Sequence, residues 1–273
     1  MSPQYPIPTL SAGVTVTDSH CHLDQPRFDG ERDAVVQRAL DAGVGRMITI
    51  GASDGVGTNY AAVDLAARHP QVFATVGVHP HDARIVTHEV LGEIETLAGR
   101  PKVVAIGETG LDYYYDNSPR DVQQAVFRQF IDLARRVRLP LSIHLRDAYD
   151  DAVSILREER ADEIGGVIHC FSGDRKVARQ MLDLNFDLSF SGVVTFKNAE
   201  ELRHVAREVP AQRFMVETDA PFLTPIPYRG KRNEPLYVLF TAACLAEARR
   251  QSLDEVASLT RANTNRRFCL RQD

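Results

Sequence analysis

Short runs of apolar and β-branched residues recur along the chain, and they predict eight strands. The runs are VTVTDSH from Val14, MITIG from Met47, FATVGVH from Phe73, VVAIGE from Val103, LSIH from Leu141, VIHC from Val167, DLSFSG from Asp187 and FMVETD from Phe214. Runs that are almost continuously apolar are typical of a parallel sheet buried on both faces. The pattern therefore indicates a parallel sheet with helices packed against it.

Amphipathic stretches with helical spacing separate these runs. Examples are ERDAVVQRALDAG from Glu31, RDVQQAVFRQFIDLARRV from Arg120 and NAEELRHVAREV from Asn198. Eight alternating strand and helix units predict an α/β fold of the (β/α)8 TIM-barrel type. An open doubly wound sheet has the same alternation, but it usually carries a glycine-rich phosphate loop after its first strand. Here the first strand runs into DSHCHLD instead, which favours the barrel.

The length of the chain fits one barrel domain. The 273 residues contain 44% hydrophobic and 25% charged positions, as in an ordinary folded protein. We expect a loose, proline-rich N-terminal tail over residues 1–13 and a single barrel domain over residues 14–273. The segment PFLTPIPYRGKRNEP from Pro221 is predicted to be a long loop after the eighth strand.

Charge and cysteine usage limit the possible partners and location. A formal net charge of -5 argues against a surface that is basic all over, so an anionic substrate would need a local cationic site. Cys21, Cys170, Cys244 and Cys269 form no CxxC pair, which indicates free thiols and a reducing cytoplasm. The N-terminal segment has no signal-peptide pattern and no run is long enough for a membrane span, so we expect a cytoplasmic protein without membrane contact. A monomer is favoured.

The end of the first strand carries a pair of histidines. Residues two apart in a strand share a face, so His20 and His22 point the same way while Cys21 points the opposite way. An isolated H-x-H pair is weak evidence for a metal. Its position strengthens the case, because barrel enzymes build their active sites at the carboxyl ends of the strands.

Other strands end in the same kind of residue. His79, Glu108, His144, His169 and Asp219 each lie at or just after a predicted strand end. Buried ionisable side chains are costly unless they are paired or bind a metal, so this clustering predicts a metal centre at one end of the barrel.

Four histidines and two carboxylates exceed the three protein ligands of a simple catalytic zinc site, which indicates two divalent ions. Glu108 would bridge them, with His20, His22 and Asp219 on one ion and His144 and His169 on the other. Asp219 would hold or deprotonate the attacking water. Glu217 shares a face with Asp219 and is either a supporting carboxylate behind a ligand or a barrel-interior residue paired with a cation. The ions could be Mg²⁺, Mn²⁺ or Zn²⁺, and the imidazoles favour Zn²⁺ or Mn²⁺.

Taken in order, several segments resemble the signature segments of the TatD-like deoxyribonucleases. They are DSHCHLD, GVHPH, IGETGLDYYY, IHLRDA, HCFSG, ETDAPFL, RGKRNEP and NTNRRF, and they extend from Asp18 to about Phe268. The resemblance implies an amidohydrolase-type barrel and a divalent-metal-dependent nuclease. It puts the metal ligands on the same six residues as the strand-end argument. It also implies that His79 and His81 line the substrate side, and that Arg229, Lys231 and Arg232 face phosphate.

The leading functional hypothesis is hydrolysis of DNA phosphodiester bonds by an exonuclease acting on single strands or strand ends. Tyr113, Tyr114, Tyr115 and Phe222 would stack an unpaired base, although loop packing explains the tyrosines equally well. The alternative is a small-molecule amidohydrolase or esterase on the same metal centre. The RGKR loop argues against it unless those cations are merely solvated. A binding protein with a structural metal is disfavoured, because structural sites have fewer ligands.

Overall fold

The computed structural model describes residues 5–53 and 55–270, and within them eight parallel strands form one sheet in the order β1 to β8. The strands are β1 (Val16–Cys21), β2 (Val44–Ile50), β3 (Val72–Val76), β4 (Val103–Asp112), β5 (Leu141–Arg146), β6 (Gly166–Ile168), β7 (Phe186–Phe190) and β8 (Phe214–Val216). Each strand pairs in parallel with the next. The predicted (β/α)8 barrel is confirmed, and the open doubly wound alternative, whose strand order does not follow the chain, is excluded.

Helices connect the strands and cover the outside of the barrel. They are α1 (Arg32–Asp41), α2 (Gly57–Arg68), α3 (His88–Ala98), α4 (Arg120–Val137), α5 (Tyr149–Glu158), α6 (Arg175–Asp183), α7 (Glu200–Glu208), α8 (Val238–Arg249) and α9 (Leu253–Arg267). The helix predicted from Arg120 has its predicted length, whereas those predicted from Glu31 and Asn198 each begin one or two residues later. No helix in the described ranges combines the length and the apolar character that a membrane crossing needs.

Several strands end elsewhere than the sequence predicts, and β4 and β3 are two of them. Strand β4 continues to Asp112, so Glu108 lies inside a strand rather than after it. Strand β3 ends at Val76, so His79 lies in a loop, where it accepts a hydrogen bond from the backbone N–H of His81. Both residues nevertheless lie on the carboxyl side of the barrel, where the strand-end argument expects them.

The apolar residues divide into an inner and an outer layer. A small cluster contains Ile48 and Ile50 of β2 with Val104, Val167 and Met215 of the other even-numbered strands. Alternate strands contribute each layer of side chains inside a TIM barrel, so this cluster fills the interior. A much larger cluster packs the outer face of the strands against the helices. The barrel is therefore solid, and its chemistry is confined to the ends of the strands.

A buried carboxylate helps to join the first and last strands. Oδ1 of Asp18 accepts the backbone N–H of Thr218 (2.9 Å), and Oδ2 accepts the Thr218 hydroxyl (2.5 Å). Backbone bonds from Asp219 N to His20 O (2.9 Å) and from His22 N to Ala220 O (2.7 Å) continue the contact. The seam of the barrel is thus fixed next to the predicted ligands His20, His22 and Asp219.

The N-terminal segment is attached to the barrel more firmly than a loose tail would be. Residues 5–13 contain no helix or strand, but the hydroxyl of Tyr228 bonds both the N–H (3.2 Å) and the carbonyl (2.8 Å) of Tyr5. Ser11 donates its N–H to Asp254 (3.0 Å). The outer ends of the predicted tail and domain, residues 1–4 and 271–273, lie outside the described residues.

At the amino-terminal side of the barrel, a fully buried carboxylate on β7 binds three arginines. Asp187 accepts hydrogen bonds from Arg213 (2.5 Å), Arg266 (2.9 Å) and Arg267 (2.9 Å). Burial alone would raise the pKa of Asp187, but the bonds and charges of Arg267 and Arg213 hold it below its ordinary value. This cluster ties α9 and the start of β8 to the bottom of the barrel.

Replacing Asp187 by Asn should lower the free energy of unfolding by about 3 kcal/mol, because the arginines would lose their shared counter-charge. Urea unfolding at neutral pH measures the change. Because the pKa of Asp187 is lowered in the folded state, its contribution is present at neutral pH. It should be lost as the pH falls below about 4, where the carboxylate becomes protonated.

The matched control is Glu95→Gln, which breaks an exposed ion pair with Arg136 (3.1 Å). That change should cost less than about 1 kcal/mol. Equal unfolding midpoints for Asp187→Asn and the parent protein would contradict the structural role of the cluster.

Candidate metal centre

The structure brings the six predicted ligand residues together at the carboxyl side of the barrel. His20 lies in β1 and His22 directly after it, Glu108 lies in β4 and His144 in β5, while His169 directly follows β6 and Asp219 lies three residues after the end of β8. All six are buried except His144 and Asp219, which are nearly so, with exposed side-chain fractions of 17% and 13%. The cluster is therefore closed on the barrel side and open only towards the mouth.

The carboxylate of Glu108 lies in the middle of this cluster, and its two oxygens face different histidines. Oε2 lies 3.6 Å from Nε2 of His20 and 3.7 Å from Nε2 of His22. Oε1 lies 2.7 Å from Nε2 of His169 and 3.0 Å from Nδ1 of His144. The residues thus form two groups of donor atoms that share one carboxylate.

Asp219 completes the first group. Its Oδ1 lies 3.3 Å from Nε2 of His22 and 3.6 Å from Nε2 of His20. The backbone of Asp219 is left-handed, with φ of 56°, a conformation that few non-glycine residues adopt and that often occurs at functional sites. The bond between its N–H and the carbonyl of His20 holds this turn against β1.

The chemistry of these donors fits a divalent cation. The Nε2 atoms of His20 and His22 are 3.3 Å apart, and Nδ1 of His144 is 3.2 Å from Nε2 of His169. Nitrogen lone pairs that converge in this way around a buried carboxylate match the ligands of Zn²⁺ and related ions. Among the described residues, three triads have their ligand atoms within 4.8 Å of one another: His20, His22 and Glu108; His79, Glu108 and His144; and His20, His169 and Glu217.

Charge around Glu108 keeps the carboxylate ionised. Burial would raise the pKa of Glu108, but the charges of His169 and His79 and the bond from His144 hold it well below its usual range. Burial likewise disfavours charge on His22, but the hydrogen bond and charge of Asp219 outweigh it and raise the pKa of His22 to about 9. Burial lowers the pKa values of His20 and His79, so these two imidazoles are kept neutral, while the carboxylate of Glu108 stays ionised, as a cation site requires.

Acidic residues behind the histidines fix their orientation. Oε1 of Glu217, which is fully buried, lies 3.3 Å from Nδ1 of His169 and accepts the N–H of Cys170 (2.7 Å), so that Nε2 of His169 faces Glu108. Carboxylates in this position fix the tautomer of a ligand histidine and increase its basicity. The structure places Glu217 where a supporting carboxylate would lie, and no lysine or arginine of the described residues is ion-paired with it.

Asp112 has the same position behind His144, and the sequence reasoning missed it. Its Oδ2 accepts Nε2–H of His144 (3.0 Å) and Nε2–H of His81 (3.0 Å). Burial opposes ionisation, but these two bonds lower the pKa of Asp112. The signal in the sequence was its spacing of four residues from Glu108, which places both side chains on the same face if the strand continues, as β4 does.

Of the residues expected to contact substrate, the two histidines lie beside the ligand cluster, whereas the three loop cations contact other side chains. His79 lies 3.5 Å from Oε1 of Glu108, and His81 is beside it with ring centroids 4.3 Å apart. The loop cations lie against protein. Arg232 is ion-paired with Glu31 (2.7 Å) and Glu234 (3.0 Å).

The other two loop cations contact aromatic rings. The guanidinium of Arg229 lies 4.0 Å from the ring of Phe196, and the amine of Lys231 lies 5.2 Å from the ring of Tyr228. Neither forms an ion pair within the described part of the chain. These two remain available to an anion, whereas Arg232 already has two carboxylate partners.

Neither cysteine next to a ligand histidine joins the cluster. The thiol of Cys21 is buried on the outer face of β1 and donates to the carbonyl of Ile48 (3.4 Å). Cys170 contacts the hydroxyl of Ser191 (3.1 Å), and burial raises the pKa of its thiol well above the usual value.

Comparison with known proteins gives a consistent set of relatives. The model of the family described as TatD related DNase matches residues 17–269. An uncharacterized metal-dependent hydrolase, YabD of Bacillus subtilis, is 45% identical over 92% of this chain and 98% of its own length. A Rahnella protein named as the 3'-5' ssDNA/RNA exonuclease TatD is 36% identical over 91% of this chain and 96% of its own length.

Solved structures agree with this result. The crystal structure of YjjV, a TatD homologue from Escherichia coli, superimposes with a TM-score of 0.87 at 30% identity, covering 94% of this chain and 98% of its own. More distant neighbours under 25% identity share the fold alone.

Replacing Asp112 by Asn should weaken metal binding by about tenfold to a hundredfold, because the imidazole of His144 would lose the carboxylate that orients it. Titration of metal-free protein with Mn²⁺ or Zn²⁺, followed calorimetrically, measures the affinity. Asp116→Asn is the matched control in the same loop, since Asp116 is exposed and pairs with Arg120 at the surface. Unchanged affinity in Asp112→Asn would show that His144 needs no such support.

Proposed function

Because this chain belongs to the family of TatD-related DNases and is a metal-dependent hydrolase, we propose that it cleaves DNA phosphodiester bonds as an exonuclease with two divalent ions. The observation that carries the proposal is the placement of Glu108. Its two oxygens face separate groups of donor atoms, which is the arrangement that a bridging carboxylate needs.

His20, His22 and Asp219 would hold one ion, His144 and His169 would hold the other, and Glu108 would bind both. When bound, such a pair polarises a phosphoryl oxygen, activates water near neutral pH and stabilises the attacking and leaving oxygens. Mg²⁺, Mn²⁺ and Zn²⁺ are all candidates, and the four imidazoles favour Mn²⁺ or Zn²⁺.

The remaining chemistry belongs to the side chains. Oδ1 of Asp219 lies on the open side of the cluster, where it would orient the attacking water and accept its proton. His79 and His81 lie on the opposite side of Glu108 and would contact the substrate there. Glu217 and Asp112 keep His169 and His144 in place during the reaction.

Strand ends or single strands are the preferred substrates in this proposal. The cluster lies at the mouth of a solid barrel, and such a concave site admits a free end more readily than a continuous duplex. The name of the Rahnella relative, a single-stranded DNA and RNA exonuclease, supports the same class of substrate.

A small-molecule amidohydrolase or esterase would use the same donor set, because one barrel can carry many reactions. The discriminating experiment incubates metal-loaded protein with end-labelled single-stranded and duplex DNA beside a panel of amides and esters. Cleavage of DNA alone supports the nuclease. Turnover of a neutral amide without any cleavage of DNA would overturn it.

Chelation should abolish turnover while leaving the fold intact, since the barrel core is independent of ions at its mouth. Glu108→Gln should lower kcat by orders of magnitude and weaken binding of at least one ion, because it removes the charge shared by both. Asp219→Asn should reduce turnover more than metal content. Cleavage assays, elemental analysis and circular dichroism of the same samples provide the three readouts.

Glu255→Gln is a suitable control, because Glu255 is an exposed carboxylate that caps α9 through Ser252. It should cleave DNA at the parent rate. Normal turnover and two tightly bound ions in Glu108→Gln would show that this carboxylate is not a bridge.

The cationic loop gives a prediction for DNA binding. Arg229→Ala and Lys231→Ala should each weaken binding to DNA of any sequence and reduce the slope of log affinity against log salt by about one unit, because each phosphate contact releases counterions. Fluorescence anisotropy over a range of salt concentrations measures the slope. An unchanged slope in the double variant would remove these two residues from the phosphate contacts.

A further inference from the structure

Arg146 is a cation beside the metal centre, and no carboxylate of the described residues is ion-paired with it. It ends strand β5, two residues after His144. Within residues 5–53 and 55–270, no carboxylate lies within 4.0 Å of its guanidinium. That group instead lies over two tyrosine rings, 4.0 Å from the centroid of Tyr114 and 4.9 Å from that of Tyr115. In a chain of net charge -5, such a group marks a place that attracts anions.

The two tyrosines present unusually large aromatic surfaces to solvent. Tyr114 is 58% exposed and Tyr115 is 55% exposed, and their rings meet edge to face at 4.9 Å. Isolated exposed apolar groups are ordinary, but here two nearly perpendicular rings lie beside one arginine, and the exposed ring faces can accept another planar group.

Tyr113, the first tyrosine of the same run, is packed against other residues of the protein. Its hydroxyl bonds Asp151 (2.7 Å) and Gln124 (2.8 Å). The guanidinium of Arg120 lies 4.4 Å from its ring, but Arg120 is ion-paired with Asp116 (2.8 Å). The hydroxyl and the ring of Tyr113 therefore both have partners within the protein, whereas the ring of Tyr114 is largely exposed beside Arg146.

A single carboxylate connects this surface to the metal centre. Oδ1 of Asp112 accepts the backbone N–H groups of Tyr114 (3.1 Å) and Tyr115 (2.9 Å). Its other oxygen accepts the bonds from His144 and His81, and the ring of Tyr115 lies 5.3 Å from that of His81. The position of the rings is thus fixed relative to the donors that would hold the metal.

We propose that Arg146, Tyr114 and Tyr115 form a nucleotide subsite next to the cleavage site, in which an unpaired base stacks on the Arg146–Tyr114 pair while Arg146 attracts the adjacent phosphate. The inference rests on the proposed nuclease function and adds the element that recognises its substrate. Every base has a flat π face, so such a surface binds single strands with little regard to sequence. A duplex keeps its bases stacked on one another and cannot use it.

The test compares a fluorescein-labelled oligothymidylate with an oligonucleotide of the same length that carries abasic residues at both ends. Anisotropy in EDTA measures binding, and gel assays with Mn²⁺ measure kcat/KM. Tyr114→Leu should weaken binding of the oligothymidylate about fivefold to hundredfold, the usual contribution of one stacked base, and should leave binding of the abasic strand unchanged. Tyr114→Phe, which keeps the ring, should behave like the parent.

Arg146→Ala should weaken binding of both oligonucleotides and reduce the salt slope by about one unit, because it removes a phosphate contact. Arg146→Lys should restore the salt slope, since it keeps the charge, without restoring the preference for bases, since it lacks the flat guanidinium. Arg120→Ala is the matched control. It removes an arginine that also stacks on a tyrosine of this loop, and it should change neither binding nor cleavage.

Two kinds of failure can be told apart. If the parent binds and cleaves both oligonucleotides equally well and Tyr114→Leu changes nothing, the subsite is wrong and the nuclease function stands. An equal loss on both oligonucleotides in Tyr114→Leu would also overturn the subsite, because it would reveal a structural role. If the parent neither binds nor cleaves any of these strands, the proposed nuclease function itself fails.

Discussion

The whole site depends on one buried anion, the carboxylate of Glu108, which is only 2% exposed. A charge taken out of water is very costly unless partners in the protein replace the lost solvation. Here the rings of five histidines, His20, His22, His79, His144 and His169, approach its two oxygens within 3.7 Å. These histidines come from β1, the loop after β3, β5 and the end of β6. Only a closed parallel barrel brings those elements to one point.

A second layer of buried acids holds the histidines and the adjoining strands in position around Glu108. Asp112 and Glu217 orient His144 and His169, while Asp18 joins β1 to the segment after β8 through Thr218. Each acid lies on or next to a barrel strand, so the fold that closes the sheet also fixes the direction of the imidazoles. Rigidity of this kind is what a metal site requires, because small displacements of a ligand lower both affinity and rate.

Much of the fold and of the ligand cluster could be predicted from the sequence. The spacing of apolar residues indicates strands and helices, and the position of histidines and acids at the ends of strands indicates the site. Eight apolar runs separated by amphipathic stretches were enough to identify the barrel, and acidic and histidine residues at the strand ends identified the cluster. Contacts between side chains distant in sequence could not be predicted. The contact of Asp112 with His144 was not predicted, and Arg232 was expected to face phosphate, whereas the structure places Glu31 and Glu234 beside it. The tyrosine run likewise contains one packed ring and two exposed ones, and only their neighbours distinguish them.

The central claim is that Glu108 bridges two ions, and diffraction at the manganese absorption edge from crystals grown with Mn²⁺ tests it most directly. The account predicts two anomalous peaks about 3.5–4 Å apart, with one oxygen of Glu108 bound to each. The first peak should contact His20, His22 and Asp219, and the second should contact His144 and His169. A single peak, or two peaks of which one does not contact Glu108, would contradict the account.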